Sequence, residues 1–261
     1  KPSAVVNLKL MLCLGIVVSK DNEHQYIMEK FDSLYQRAAE RKGGAAVLNL
    51  LLGEAQQDNL VAELSDDRIL SAFTKKIFQS GFVWRVVENK WPNFEEMFFG
   101  FDLTKILMMP EEMQERKAGD AKIIRNYNKV KTIQANAQMM FDEIHSDNHA
   151  HKSFAEFIAA WPSNNMIGLW DYLKKNGQRL GGNTGPYALR AIGKDTFLLT
   201  RDIEAYFRAN KIIDGGLQSK KSLAAIQAAF NQWQSECDLS LTQLSRLVAF
   251  ATGDNNVQVE F

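Results

Sequence analysis

The chain has 261 residues, 31 basic and 31 acidic side chains and a formal net charge of zero. Hydrophobic residues make up 46% and charged residues 24%, which excludes a disordered or fibrous chain. Cys13 and Cys237 are the only cysteines, which excludes a disulfide scaffold and a four-cysteine zinc site and makes a reduced, intracellular setting the expectation.

Residues 4 to 18 are strongly apolar but hold Asn7 and Lys9, and the run falls short of the roughly 18 to 20 residues a membrane span needs. It reads as a docked segment or an extension over 1–25, not as a signal or anchor. Helical periodicity dominates from there on. Phe31, Leu34, Tyr35 and Ala38 form one apolar face, closed by Arg41-Lys42-Gly43-Gly44, a basic last turn followed by glycine. Val47, Leu48, Leu50 and Leu51 make a short second helix. Ser65 is the expected cap of a helix carrying Ile69, Leu70, Phe73, Ile77 and Phe78. Residues 84 to 99 are crowded with aromatics, and 128 to 144 read as a helix through Val130, Ile133, Ala137, Met140, Phe141 and Ile144. Further helices are expected at 152–160, 165–176, 186–192, 201–209, 219–236 and 239–250. Only residues 4–18 and Thr196 to Leu199 could be extended. The expected fold is all-α, about ten helices in one domain from 26 to 261.

Charge is spread unevenly. Residues 174 to 221 hold ten Lys and Arg against four acids, a net of +6, and Lys122, Arg125, Lys129 and Lys131 form a second basic run. Such concentrations attract phosphate. Within the first lies Leu173-Lys174-Lys175-Asn176-Gly177-Gln178-Arg179-Leu180-Gly181-Gly182-Asn183-Thr184-Gly185-Pro186-Tyr187. A helix should reach Lys175, a glycine-rich turn should follow, and Pro186 should open a second helix. Gly181, Gly182 and Gly185 allow positive φ and close approach by a partner, and the turn ends where backbone N–H groups can meet an anion. A plain helix–turn–helix connection is the competing reading. Asp202 follows the apolar run Phe197-Leu198-Leu199, where it is either a helix cap or a carboxylate held near the hairpin.

Hairpin, second helix, apolar run and Asp resemble, in this order, the helix–hairpin–helix DNA glycosylase superfamily. The closer likeness is to the bacterial DNA-3-methyladenine glycosylases of type I. Phe78-Gln79-Ser80-Gly81-Phe82-Val83-Trp84 is similar to a segment that builds their base pocket. Asn89 to Phe94, Phe101-Asp102 and Ala121 to Asn126 follow in register, and the likeness spans about residues 66 to 195. It implies a helical fold with a cleft between two helical subdomains and the hairpin at 173–193. It implies an enzyme of base-excision repair that releases alkylated, 3-methyladenine-like purines from double-stranded DNA. The base pocket would include Gln79, Trp84, Trp91 and Tyr187, and cation–π stacking on Trp84 or Trp91 would favour a cationic base. Gly181, Gly182, Asn183, Thr184, Gly185, Lys174, Lys175 and Arg179 would hold DNA, and Asp202 would be catalytic. No Lys stands between 186 and 192 to form a Schiff base, so a monofunctional, cytoplasmic, monomeric enzyme without cofactor or metal is expected. The chain departs from the family in lacking its zinc-ligating cysteines and in carrying Lys76 where the family has a pocket Glu. A non-catalytic helix–hairpin–helix protein that recognises DNA damage is the alternative. His145, His149 and His151 read as a solvated loop.

Overall fold

The computed structural model describes residues 17–18, 27–56, 58–146 and 150–253. Most of the apolar run at 4–18 lies outside them; Val17–Val18 pairs antiparallel with Ile27–Met28. Among the described residues there are fourteen α-helices. They fall into two compact units, one made of the residues up to 55 together with those from 196 onward, the other of residues 56 to 195.

The first unit holds α1 (Phe31–Lys42), α2 (Ala45–Leu52), α12 (Arg201–Ala209), α13 (Lys220–Glu236) and α14 (Leu241–Thr252). Helix α1 ends on Gly43 in the left-handed conformation at φ 87° behind Arg41 and Lys42, as its sequence anticipates. Apolar faces at helical spacing meet in a core of Leu34, Leu48, Phe207, Phe230, Trp233 and Leu247. Phe197 stacks on Phe230 with centroids 4.4 Å apart. The segment from Thr196 to Leu199 is buried irregular backbone rather than a strand, and the Leu198 N–H donates to Ser245 Oγ at 3.1 Å. A polar knot ties α1 to α12. Arg37 grips Glu29 with both terminal guanidinium nitrogens, and the Tyr206 hydroxyl donates to the same carboxylate at 2.9 Å. Burial and the neighbouring Glu29 push the Tyr206 hydroxyl far above its usual range.

The second unit runs α3 (Asp58–Ala62), α4 (Asp66–Gln79), α5 (Trp84–Met97), α6 (Leu103–Leu107), α7 (Glu111–Ala118), α8 (Tyr127–Ile144), α9 (Phe154–Ala160), α10 (Met166–Asn176) and α11 (Thr184–Ala191). Helix α4 is central. Its face of Ile69, Leu70, Phe73, Ile77 and Phe78 is fully buried, and it packs against α5, α8 and α11. Ser65 stands at the start of α4 but its side chain makes no capping bond. Asp66 instead accepts from the N–H groups of Phe154 and Ala155 and so serves the start of α9. Burial raises the Asp66 carboxyl above the ordinary range, against those two N–H bonds.

Two lysines counted among the surface basic runs are interior. Lys129 Nζ donates to the carbonyls of Phe78 and Ser80 at 3.2 and 2.6 Å, closing the C-terminus of α4. Burial holds its ammonium below the usual lysine range. Lys194 does the same for α9, donating to the carbonyls of Ala159 and Trp161 at 3.0 and 2.8 Å. Replacing Lys129 with Met should leave the last carbonyls of α4 without these donors and destabilise the protein by about 1 to 3 kcal/mol. Chemical denaturation would read that loss, and an unchanged midpoint would remove the capping role.

Candidate active site

The turn after α4 carries Gly81 at φ 76°, a left-handed conformation that glycine adopts without strain, and it swings the chain into α5. This turn and the start of α11 face one another across a cleft of about 200 Å³. Its lining is Lys76, Gln79, Ser80, Gly81, Trp84, Asn183, Thr184 and Tyr187. Trp84, the first residue of α5, is 51% exposed, and Tyr187 meets it edge-on at 6.2 Å. Gln79 is 3% exposed, and both ends of its amide are committed. Its nitrogen donates to Glu88 Oε1 at 2.7 Å, and its oxygen accepts from Lys76 Nζ at 2.8 Å. Lys75 pairs with the other oxygen of Glu88 at 2.5 Å.

Lys76 also lies over the Trp84 ring, its Nζ 4.7 Å from the centroid. Burial lowers its pKa from the ordinary lysine value; Glu88 works in the opposite sense and Lys75 in the same sense.

Of the four expected pocket residues, Gln79, Trp84 and Tyr187 line this cleft and Trp91 does not. Trp91 is 8% exposed, stacked between Phe94 and Phe101 at 4.9 and 5.6 Å, and donates its indole N–H to Glu95 at 3.1 Å. It is a core side chain. It is also covered by a lysine, with Lys75 Nζ 5.4 Å from its ring centroid. Ser80 and Gly81 line the cleft as well, although their residue types alone carry no signal for it. Lys76 stands out in the sequence only as a missing glutamate.

The hairpin joins α10 to α11 through residues 177 to 183. Leu173 and Leu180 are buried beneath it. Asn136 of α8, fully buried, holds it like a peptide: its Nδ2 donates to the Gln178 carbonyl at 3.1 Å and its Oδ1 accepts from the Gln178 N–H at 2.7 Å. The glycines divide by role. Gly182 has φ 62° and open space where a side chain would stand. Gly185 is buried, its N–H donates to the Leu180 carbonyl at 3.1 Å, and an added Cβ would lie 2.5 Å from that oxygen. Its close approach is therefore to the hairpin's own backbone and not to a partner. Helix α11 starts at Thr184, so Pro186 sits inside the first turn rather than opening it; its missing N–H is harmless there. Lys174 and Arg179 are exposed, and Lys175 is exposed but paired with Asp171 at 2.5 Å. Asn183 and Thr184 belong to both features, ending the hairpin and lining the cleft.

Asp202 lies in the first turn of α12. The helix is capped by Thr200, whose Oγ1 accepts from the Ile203 N–H at 3.4 Å, so Asp202 is not the cap. Its carboxylate fills the space beside Gly253, where an added Cβ would come within 2.2 Å of Oδ1. His145 stacks on Phe141 at 3.9 Å and its Nδ1 contacts the Phe141 carbonyl; His149 lies outside the described residues. Among the described residues no cluster of three His, Cys, Asp or Glu could hold a metal, and no helix is long and apolar enough to cross a membrane.

Among the described residues the fold is almost wholly helical, and its glycine hairpin ends beside an aromatic cleft, the arrangement that a base-flipping enzyme requires. Residues 61–189, just under half of the chain, match the model of the methyladenine glycosylase family, a match that supports DNA N-glycosylase activity. The 8-oxoguanine DNA glycosylase of Methanocaldococcus jannaschii shares the fold. It is 17% identical with a TM-score of 0.54, and the match covers 83% of this chain and 92% of that one. A 3-methyladenine DNA glycosylase I is 21% identical over 68% of this chain and 91% of its own, with a TM-score of 0.43. A point mutant of the Staphylococcus aureus 3-methyladenine DNA glycosylase I is 17% identical over 50% and 78%, also at 0.43. No curated protein sequence matches the chain.

Proposed function

We propose that this protein is a monofunctional DNA glycosylase that releases modified purines from duplex DNA. The flipped base enters the cleft between Trp84 and Tyr187. The observation that carries this reading is the position of Asn183 and Thr184, which makes the end of the hairpin one wall of the aromatic cleft. A strand held at the hairpin therefore presents its nucleotide at the mouth of the cleft. A glycosylase needs this adjacency, because the base must leave the stack while its own backbone stays gripped.

The hairpin backbone from Gly181 to Gly185 holds the phosphates through its N–H groups, and Lys174, Lys175 and Arg179 add charge. Trp84 and Tyr187 receive the base, and Gln79 presents a fixed amide at the cleft's floor. Asp202 supplies the carboxylate that stabilises positive charge on the sugar as the glycosidic bond stretches and orients the attacking water. Helix α11 carries no Lys, so water rather than an amine is the nucleophile, and the abasic strand stays intact after release.

The test is base release from duplex DNA carrying one modified purine, either methylated or uncharged, followed as free purine and as alkali-labile abasic sites, with borohydride added in a parallel reaction. Free base without a trapped protein–DNA adduct supports the reading. A trapped adduct sinks the monofunctional assignment, and tight binding of damaged DNA with no base released favours damage recognition without cleavage.

A further inference from the structure

Trp84, the aromatic surface expected to attract a cationic base, already carries a cation. Lys76 Nζ sits 4.7 Å over the Trp84 centroid and 2.8 Å from Gln79 Oε1. Among the described residues no acidic side chain lines the cleft. The nearest carboxylate in the network, Glu88, does not line it and is held by Gln79 on one oxygen and Lys75 on the other. The charge presented to an entering base is therefore positive. An ammonium has three N–H donors, of which Gln79 takes one. What remains is a charge-assisted donor facing the cavity, and it matches an acceptor on the base.

A purine alkylated on N3 or N7 is a cation in DNA. Entering this cleft it would compete with Lys76 for the Trp84 face and meet like charge at short range, in surroundings that screen less than water. An uncharged purine meets neither penalty. If it turns a carbonyl oxygen or an unprotonated ring nitrogen toward Lys76, it gains a hydrogen bond. An uncharged base is also the poorer leaving group, because electron density builds on it as the glycosidic bond breaks. A fixed ammonium beside the base stabilises that build-up most strongly in the transition state.

We infer that Lys76 is a specificity-determining residue, and that the cleft selects an uncharged modified purine presenting an acceptor to it over a cationic N-alkylpurine. This rests on the cleft being the base pocket.

The experiment uses the full chain and duplexes carrying one lesion at a fixed position, either cationic N7-methylguanine or an uncharged base, hypoxanthine or 8-oxoguanine. Single-turnover release should be at least tenfold faster for one of the uncharged bases than for N7-methylguanine. Lys76→Met should lower that rate at least tenfold while making N7-methylguanine release faster, and Lys76→Arg, which keeps the charge, should preserve the order. Faster release of the cationic base by the parent protein overturns the inference, as does a preference that survives Lys76→Met. If no duplex loses its base, the catalytic reading fails on its own, and the affinities of the same duplexes decide the inference. Tighter binding of an uncharged lesion that Lys76→Met abolishes sustains it; equal affinities overturn it.

Discussion

Asp202→Asn should lower single-turnover base release by about 10² to 10³, the usual loss for one principal electrostatic group, while duplex affinity stays unchanged. The substitution is clean because of what the structure assigns to Thr200. Had Asp202 capped α12, replacing it would have cost about 1 kcal/mol in stability and blurred any kinetic effect. Thr200 Oγ1 takes that role, so Asp202→Asn should leave the unfolding free energy within about 0.5 kcal/mol of the parent. The contact with Gly253 supplies an independent arm. A Cβ at 253 would fall 2.2 Å from Asp202 Oδ1, so Gly253→Ala must move the carboxylate without changing its charge. It should reproduce part of the kinetic loss. Base release at the parent rate by Asp202→Asn would reduce Asp202 to an ordinary acid in a first helical turn, favourable to the dipole and nothing more.

Periodicity made the long helices legible. Helix α4 buries the face its spacing marks, and Ile203, Tyr206 and Phe207 do the same for α12. The short helices escaped for a physical reason. Asp58–Ala62 and Leu103–Leu107 are five residues each, little more than one turn, and one turn shows no period. The two tryptophans show a different limit. Seven residues on a helix return to nearly the same face, so Trp84 and Trp91 share a direction, but they are separated by about 10 Å along the axis. Angular pattern cannot see axial depth: Trp84 stands at the rim and Trp91 in the core. Charge counting failed similarly. The partners of Lys129 lie 49 and 51 positions away, those of Lys194 33 and 35, and both lysines end in helix C-termini that only the tertiary fold delivers. The glycine hairpin was legible because glycine, proline and lysine carry their meaning locally. Lys76 was visible as a departure from the family, but its partner Trp84 had to be seen in place before the departure acquired a chemistry.

The hairpin glycines should separate fold from grip. Gly185→Ala puts a methyl 2.5 Å from the Leu180 carbonyl, the same oxygen that the Gly185 N–H uses. That oxygen is backbone in the middle of the turn and cannot withdraw without breaking the bond. Overpacking of this kind costs about 1 to 3 kcal/mol, and DNA binding should fall with it because the turn itself is displaced. Gly182→Ala meets open space, so its penalty is conformational alone, roughly 1 to 2 kcal/mol for a Cβ at positive φ. Gly182→Asn, which tolerates that conformation better, should recover most of the stability. If the turn holds phosphate, both changes at 182 should weaken duplex binding about equally for damaged and undamaged DNA, since a backbone contact reads no base. Lys174→Ala should in addition lower the slope of log affinity against log salt by about one. Titrations at two salt concentrations, alongside denaturation of each variant, give the separation. Stability lost at 185 with affinity intact at 182 and 174 would leave a well-packed helical turn that DNA does not use. Affinity lost at 182 in a protein that unfolds where the parent does assigns the grip to the exposed backbone of the turn, with Gly185 as the residue that holds it in shape.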